Sequence, residues 1–549
     1  MQVFKISFVK TVLTCFLLTA VIVPVEAAAN YKKELSFYID AIRGNDNNSG
    51  LTISHAWKTL AKVNTTTFLS GSHILFKRGQ TWQGQLNIKS SGGRNQPIII
   101  NAYGSGAKQV IAGNGVANGT IYVNNQQYIE FHNLSVTNYN SSEENSLSLV
   151  KWEQKNKSDF ANTALPPQVN NHNMPLYGIY ITAEDTGEVN HVHLVSLEVH
   201  GVNGYINQEE ESKNNGGIYF KISGTKKPTF FNDVLIDSCN IHDVDRTGIM
   251  LCNSTWSTRT LKINTNWTPS RNVILRNCRF NNTGANALIV RVATNPLIEH
   301  NVFDHCAIKG SGNAAFSFSC DSAVWQYNEC RYTKANVGDR DAGGIDADYK
   351  TRHTILQYNY VHNNDYGILI TGGPDSFNDE TIVRYNIFEN DGAYAHPTHS
   401  KCVIRVSGSA TNTHIYNNVI YVGPTQKDTK IISHEVWKTS PINTTYQNNI
   451  VYNLSENALF DFETSTGNNF DHNLYYGNAI LNIDEAAWLH SDPLFVKPGF
   501  GAHGYKLKSG SPAIGSGIVI SQNGNLDYFG NRIRTEKINI GIYNNSPVK

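Results

Sequence analysis

One short phrase recurs along the chain from about residue 190, and it limits the possible folds more than any other feature. In each copy a small polar anchor residue is flanked by apolar side chains, and successive anchors are 23 to 39 residues apart. The anchors are Cys239, Cys278, Asn301, Asn328, Asn359, Asn386, Asn418, Asn449 and Asn473. Repeats of this length with irregular spacing predict a solenoid with insertions, in which each repeat stacks on its neighbours.

The chemistry of the anchor explains why Asn is used repeatedly. A stacked Asn side chain can hydrogen-bond to the next repeat and to the backbone of a tight turn, and Asn also tolerates left-handed backbone geometry. The apolar residues beside it are expected to fill the interior. The column of anchors therefore predicts a ladder of side-chain amides inside the solenoid.

Each phrase is followed by a second apolar strand that usually opens with Gly. These strands are predicted at residues 177–182, 216–221, 247–252, 286–291, 314–319, 343–348, 366–371 and 401–406. Two strands per repeat with an Asn ladder resemble the right-handed parallel β-helix of the pectate-lyase-like superfamily, over roughly residues 90–480. The resemblance is nearest to the β-helix glycoside hydrolases of polysaccharide-degrading bacteria. It implies an all-β, single-stranded solenoid with an N-terminal cap.

The flanks fit the same organisation. Lys5, Lys10 and the apolar run at residues 11–23 predict a signal peptide over residues 1–27, and hence a secreted or periplasmic protein. Residues 28–90 resemble an N-terminal cap with the first strands, residues 91–480 form the predicted β-helix, and residues 481–549 resemble a closing segment. We expect a monomer with no membrane-spanning segment.

Composition excludes some partners. The chain has 45 Lys+Arg and 45 Asp+Glu, with only 16% charged residues, which argues against nucleic acid or a membrane surface. Seven cysteines lie beyond the signal peptide, and this odd number excludes complete internal pairing. Because they show no metal-binding spacing, we interpret them as buried small apolar residues.

Aligning the second strands predicts which of their side chains face outward. The columns containing Ile345 and Ala347 are apolar in the other repeats and are assigned to the interior, together with Phe316 and Phe318. The alternate columns are assigned to an exterior groove. Its predicted floor is Lys221, Arg291, Ser317, Ser319, Asp346, Asp348, Thr371 and Arg405, with Arg405 in the column of Asp348.

Asp346 and Asp348 are the candidate catalytic residues. On a strand they share one face at a separation of about 7 Å, which suits a general acid and a base that activates water, nearer to inverting than to retaining enzymes. Repulsion between them should raise one pKa. Two alternatives stay open: a Ca²⁺ site formed by Asp339, Asp341, Asp346 and Asp348, or an acidic patch without a role. No other cofactor is expected.

The remaining candidates concern the substrate. Arg291 and Arg405 would lie about two coils on either side of Asp348, where they could bind carboxylates or sulfates of an anionic polysaccharide or pair with the aspartates. Glu435 and Trp437 could extend the groove, with Trp437 stacking on a sugar ring or packing structurally. His353, His362 and His434 could carry protons, although a structural role is commoner for a single His.

Three functions follow, in order of preference. The first is hydrolysis of glycosidic bonds of a polysaccharide. The second is β-elimination on a uronic-acid polymer, with Lys350, Arg352 and the aspartates as base and neutraliser. The third is a non-catalytic carbohydrate-binding or adhesin β-helix, which would not need two carboxylates at its centre. The insertions at residues 141–175 and 253–270 are predicted to wall the groove.

Overall fold

Three long parallel sheets, named A, B and C, make up the protein. The computed structural model describes residues 35–141, 175–204, 213–310, 312–333, 341–392, 401–456, 460–478, 482–534 and 536–548. Leu35–Lys549 form one compact unit. The predicted signal peptide and most of the insertion at residues 141–175 lie outside the described residues.

Sheet A contains 15 strands, which pair in parallel. They are β1 (Ser36–Ile39), β2 (His73–Lys77), β5 (Ile98–Tyr103), β8 (Ile129–His132), β11 (Glu188–Val195), β14 (Phe230–Asp237), β19 (Ser270–Arg276), β23 (Leu297–Glu299), β26 (Val324–Gln326), β30 (Ile355–Gln357), β34 (Ile382–Arg384), β38 (His414–Tyr416), β41 (Thr445–Gln447) and β44 (Asn469–Asp471), with β22 (Ala293–Thr294) beside β19.

Sheet B contains 14 strands. They are β3 (Thr81–Gln83), β6 (Gln109–Ala112), β9 (Leu134–Asn138), β12 (Glu198–Val202), β15 (Asn240–Val244), β20 (Arg279–Thr283), β24 (Val302–Asp304), β27 (Glu329–Arg331), β31 (Tyr360–His362), β35 (Ile387–Glu389), β39 (Val419–Val422), β42 (Ile450–Asn453), β45 (Leu474–Gly477) and β46 (Leu489–His490).

Sheet C contains 12 strands and carries most of the candidate residues. Its strands are β4 (Leu86–Ile88), β7 (Ile121–Asn124), β10 (Tyr177–Glu184), β13 (Gly216–Ser223), β16 (Thr247–Asn253), β21 (Leu288–Arg291), β25 (Ala315–Phe318), β28 (Gly343–Ala347), β32 (Tyr366–Thr371), β36 (Cys402–Ser407), β40 (Lys430–Glu435) and β43 (Phe460–Asp461). Through the central coils the chain visits sheets A, B and C in turn, so the predicted parallel β-helix is confirmed. Each coil has three strands and not the predicted two, because the anchor phrase spans two strands and the corner between them.

A few short elements complete the fold. They are the hairpin of β17 (Ser257–Thr258) and β18 (Asn266–Trp267), a small sheet of β29 (Thr351–Arg352), β33 (Asn378–Asp379) and β37 (Ala410–Thr411), the helix α1 (Leu60–Thr65), and 3-10 turns at Ile53–His55 and Ala502–Tyr505. In the described part of the chain, no helix is long and apolar enough to cross a bilayer.

The corner between sheets A and B is a two-residue turn in every coil from β11 to β45. For example, β26 ends at Gln326 and β27 begins at Glu329, which leaves Tyr327 and Asn328 at the corner. Tyr327 has a left-handed backbone (φ 55°), and Asn328 is the anchor. Contrary to the sequence expectation, the left-handed residue is thus the one before the anchor, which in other coils is His300, Tyr358, Tyr385, Asn417 and His472.

The predicted amide ladder is present and continuous from Asn301 to Asn473. The backbone N and the side-chain Nδ2 of Asn328 both donate to Oδ1 of Asn359, at 3.0 Å each, and the same pair of bonds links every neighbouring anchor. The ladder ends where Asn473 donates to Glu485. Because these amides are buried, each bond satisfies a group that would otherwise be costly to desolvate.

The interior is filled by one apolar cluster that runs through the coils, including the fully buried Trp325. All seven described cysteines are free and buried, which confirms their interpretation as small apolar residues. Cys278 lies in the anchor column, where its backbone N donates to Oδ1 of Asn301 at 2.9 Å.

The terminal segments pack differently from one another. At the N-terminal end, β1 pairs with β2, so sheet A begins well before residue 91; helix α1 follows β1, and its capping role stays a prediction. The C-terminal segment packs along the outer side of sheet B, where Tyr505 and Ile540 join a cluster with Ile387 and Val419. It therefore covers several coils along their side.

Candidate active site

Sheet C differs from the other two sheets because both of its faces are buried near the centre. Every residue of β28 is buried, whereas β26 in sheet A alternates between buried and partly exposed. Outward side chains on either side form two apolar clusters: Tyr177, Tyr180, Tyr219, Met250, Cys252, Ile289 and Phe316 before β28, and Tyr366, Leu369 and Cys402 after it. The open groove expected from the sequence is therefore a covered surface over much of its length.

Asp346 lies between these two clusters. Its neighbours in the sheet are Phe316 on one side and Leu369 on the other, and it is only 4% exposed. Asn313 Nδ2 donates to Asp346 Oδ2 at 2.9 Å, and Tyr366 OH donates to the Oδ1 of the same Asn313. Asp346 Oδ1 is buried and has no hydrogen-bond partner among the described residues.

The surroundings of Asp346 favour its protonated form. Burial raises its pKa well above the usual range, and the charges of Asp348 and Asp341 raise it further. The hydrogen bond from Asn313 and the charge of Arg405 act in the opposite direction but are weaker.

Asp348 is the first residue after β28 and is more accessible than Asp346. Its backbone N donates to Ser317 O at 3.0 Å, so the ladder of the sheet continues to this point. Its Oδ1 accepts a hydrogen bond of 2.8 Å from the backbone N of Tyr349. Burial raises the pKa of Asp348 to about 7; this hydrogen bond lowers the pKa, as do the charges of Lys213 and Arg291, and Asp341 raises it.

Asp341 and Lys213 are two further charged groups that act on this site. Asp341 lies two residues before β28, is partly exposed, and acts on both other aspartates through its charge. Lys213 Nζ lies 6.0 Å from the centre of the Phe316 ring. Asp341 had been considered only as a metal ligand, and nothing in the repeat pattern indicates Lys213, because it precedes β13 in an insertion.

The two predicted arginines lie two coils from the aspartates, as expected. Arg291 in β21 stacks on Phe318, with its guanidinium carbon 5.2 Å from the ring centre. Arg405 in β36 is 3% exposed, lies 4.3 Å above the Tyr366 ring, and approaches Glu435 Oε1 at 3.3 Å. The ion-pair partner of Arg405 is thus Glu435 and not the aspartates considered from the sequence, and a substrate contact by either arginine stays a prediction.

The column assigned to Arg405 was wrong. Arg405 pairs with Leu369, which pairs with Asp346, while Thr371 pairs with Ser407. Arg405 therefore belongs to the column of Asp346 and not to that of Asp348. The predicted alignment was displaced by two residues, so Arg405 keeps its predicted outward face but lies in the other outward column.

Ser317 and Ser319 were assigned to the wrong face. Ala315 pairs with Ile345, and Ser317 pairs with Ala347, so Ser317 points inward and is fully buried, as is Ser319. The outward positions of β25 hold Phe316 and Phe318. The physical reason is that the Phe rings pack on the outer apolar cluster, while the interior at this coil accepts the smaller Ala and Ser.

The other predicted groove residues lie at different distances from the aspartates. Lys221 in β13 is four strands away from β28 in sheet C, or about 19 Å at about 4.8 Å per strand. Trp437 is 43% exposed, and its ring centre lies 6.3 Å from that of Tyr349, the residue after Asp348. Of these two, only Trp437 is near the pair.

The histidine candidates have structural partners. His434 is fully buried and is bonded to Ser465 Oγ (2.7 Å) and Tyr446 OH (2.6 Å), and burial lowers its pKa to about 3. His362 lies 3.2 Å from Glu329, and His353 lies 3.0 Å from Glu380. These contacts leave the aspartates as the better candidates for proton transfer.

The two basic residues considered for elimination chemistry, Arg352 and Lys350, make different contacts. Arg352 makes a bidentate ion pair with Asp321, at 3.0 Å from both Nε and Nη2. Lys350 Nζ lies 5.7 Å from the centre of the Phe318 ring.

The hairpin formed by β17 and β18 lies in the insertion at residues 253–270. It is attached to the coil of β25, because Trp267 Nε1 donates to Ser319 O at 3.1 Å. The buried Arg259 stacks on Trp267 at 4.2 Å and on Phe377 at 5.3 Å. This insertion is thus anchored by packing, and its role as a wall of the site stays a prediction.

The alternative calcium site has incomplete support. Asp339 lies outside the described residues. Within the described part of the chain, Asp341, Asp346 and Asp348 do not bring three ligand atoms within 4.8 Å of one another.

The fold defines the protein as a right-handed parallel β-helix. A model of the "Right handed beta helix region" matches residues 229–420. The chain is 26% identical to a lacto-N-biosidase of Bifidobacterium longum subsp. longum, over 93% of this chain and 36% of that protein. It thus spans about a third of the length of this relative.

Two solved structures have a similar fold. One is a GH136 lacto-N-biosidase from Eubacterium ramulus, with a TM-score of 0.54 and 21% identity over 76% of this chain and 68% of that one. The other is XylC in complex with xylose, with a TM-score of 0.53 and 13% identity over 93% of this chain and 99% of that one. At these identities the likeness concerns the fold.

Proposed function

We propose that the protein is a glycoside hydrolase that cleaves a glycosidic bond of an oligosaccharide or polysaccharide. The observation that carries the proposal is Asp348, a partly exposed carboxyl group whose pKa is raised to about 7, beside the buried Asp346 and the charge of Asp341. A carboxyl group that keeps its proton near neutral pH is what a general acid requires. The similarity to a lacto-N-biosidase over 93% of the chain supports the same reaction class.

The three aspartates have different roles in this proposal. Asp348 donates its proton to the leaving-group oxygen, because it is the more accessible of the predicted pair. Asp346 is held by Asn313 and retains a proton in its apolar surroundings. Asp341 supplies the negative charge that an oxocarbenium-like transition state needs, as a base or as a nucleophile.

A neutral sugar is the proposed substrate class. Arg405 is buried against Tyr366 and Glu435, and the charges of Arg405 and Arg291 act on Asp346 and Asp348, so both guanidinium groups have protein partners. The exposed Trp437 offers an apolar ring face for stacking on a sugar. An anionic glycan is the alternative, in which Arg291 would bind the acidic group.

A panel of glycans tests the reaction class. The protein is incubated with neutral, sulfated and uronic-acid glycans, with and without a chelator, and both reducing ends and the absorbance of unsaturated products are recorded. We expect reducing ends without unsaturated products, mainly from neutral glycans and unaffected by the chelator. Unsaturated products lost with chelator would instead establish calcium-dependent elimination, and binding without products would establish a carbohydrate-binding protein.

The pH profile of kcat/KM provides a second test. The acid must be protonated, so activity is expected to fall as the pH rises through about 7, the raised pKa of Asp348. If the second carboxyl group has to be ionised, activity should also fall as the pH decreases, which gives the profile a second limb at lower pH. An Asp348→Asn variant should lose the limb near pH 7, whereas a profile that is flat from pH 6 to pH 9 in the unaltered protein would contradict the assignment.

The proposal includes two further expectations. The predicted signal peptide at residues 1–27 would direct the protein out of the cytoplasm, to the periplasm or the exterior, and the enzyme is expected to act as a monomer.

A further inference from the structure

A cluster of histidines and carboxylates lies on sheet A, away from the aspartates of sheet C. It contains Glu130 and His132 from β8, His191 and His193 from β11, and Asp233 from β14. These strands are consecutive in the sheet, so three coils contribute to it. The proposed hydrolysis does not use any of these residues.

The contacts within the cluster are short. His191 Nε2 lies 2.8 Å from Glu130 Oε1, and His191 Nδ1 lies 2.7 Å from Asp233 Oδ2. His193 Nε2 lies 2.9 Å from Asp233 Oδ1, and His132 Nε2 lies 2.7 Å from Glu130 Oε2. Glu130, His191 and His193 each offer a ligand atom within 4.8 Å of the other two.

The backbone is shaped to bring these groups together. In a regular strand, residues two apart are separated by about 7 Å, but the ring centres of His191 and His193 are only 3.8 Å apart. His191 has a left-handed backbone (φ 56°), as has Asp233 (φ 63°) at the equivalent position of the next coil. Such conformations are uncommon for residues other than Gly, and here they turn a histidine and an aspartate toward one site.

We propose that Glu130, His191 and His193 bind a divalent transition metal ion of the zinc type. Two imidazoles and one carboxylate form a ligand set that Zn²⁺ accepts, with a fourth position for water. Asp233 orients His191 through Nδ1, as carboxylates commonly do for metal-bound histidines. The ion replaces the direct bond between His191 and Glu130, and it cross-links the coils of β8 and β11.

The role of this ion is structural. The cluster is on a different sheet from Asp346 and Asp348, and its side chains are partly exposed, so the ion can enter from solvent. Because the ion binds the folded protein and not the unfolded chain, it stabilises the folded state by mass action.

The test uses the full chain without a polyhistidine tag, stripped with a chelator and then titrated with ZnCl₂ by calorimetry. We expect one equivalent to bind and the Tm to rise by a few degrees in excess Zn²⁺. A His191→Ala, His193→Ala double variant should lose both effects. A His200→Ala, His242→Ala variant is the matched control, because these two histidines also stack on one another, at 5.0 Å, and the variant should keep both effects.

Glu130→Gln keeps the shape of the side chain but removes the charge, and it should weaken Zn²⁺ binding by at least about 10-fold. This variant decides the question if the double variant does not fold. The proposal is refuted if the unaltered protein binds no Zn²⁺, or if binding survives in both the double variant and Glu130→Gln.

Discussion

Replacing Asp348 by Asn is expected to lower kcat/KM by about 10²- to 10⁴-fold, the usual contribution of general acid catalysis. The amide cannot donate a proton to the leaving group, although it can still accept the hydrogen bond from Tyr349 N. The loss should be much smaller on an aryl glycoside of the same sugar, because a good leaving group needs little protonation. Steady-state kinetics on the two substrates measure this difference.

Further variants distinguish the roles of the three aspartates. Asp341→Asn should lower activity on both kinds of substrate, because the negative charge serves the transition state whatever the leaving group is. Asp346→Asn keeps an acceptor for Asn313 and should have the smallest effect of the three. The exposed Asp484→Asn is the control and should leave kinetics unchanged. Full activity in an Asp346→Asn, Asp348→Asn double variant would exclude this site.

Replacing Asn359 by Ala is expected to lower the free energy of unfolding by about 3–5 kcal/mol. The change leaves the carbonyl of Trp325 and two donors of Asn328 without a partner, and each buried unsatisfied group costs about 1–3 kcal/mol. Urea denaturation followed by circular dichroism measures the effect.

The partly exposed Asn87 in β4 provides the comparison for this variant. Asn87→Ala should change the free energy of unfolding by no more than about 0.5 kcal/mol, as for most surface substitutions. Equal urea midpoints for Asn359→Ala and Asn87→Ala would show that the ladder does not contribute to stability in the way described.

The anchor column was predictable from the sequence because it repeats a chemical requirement. Each coil has to satisfy a buried backbone at the same corner, so the same amide recurs, and the ladder from Asn301 to Asn473 could be identified residue by residue. The free, buried state of the cysteines followed from similar reasoning. The prediction that Asp346 and Asp348 lie close together needed only the alternation of side chains along a strand, because residues two apart share one face.

The covering of sheet C could not be predicted in this way. The alternation of side chains along a strand defines its two faces, but it does not reveal whether the outward face is covered. Near Asp346 that face is buried, as Phe316 and Leu369 show. The Phe316–Phe318 strand was misaligned because Phe is equally suited to an interior and to a covered exterior. Lys213 was missed, and Asp341 was considered only as a metal ligand, because both lie outside the repeated strands, where no pattern constrains them.

The two-residue corner between sheets A and B has a consequence for how such a chain can vary. That corner has one length in every coil from β11 to β45, while the connection from sheet B to sheet C in these coils ranges from Asp245 and Arg246 alone, between β15 and β16, to residues 203–215 between β12 and β13. Insertions are therefore tolerated where the chain enters sheet C and are absent at the opposite corner. We therefore expect that the loops entering sheet C can be changed in length without changing the register of the scaffold.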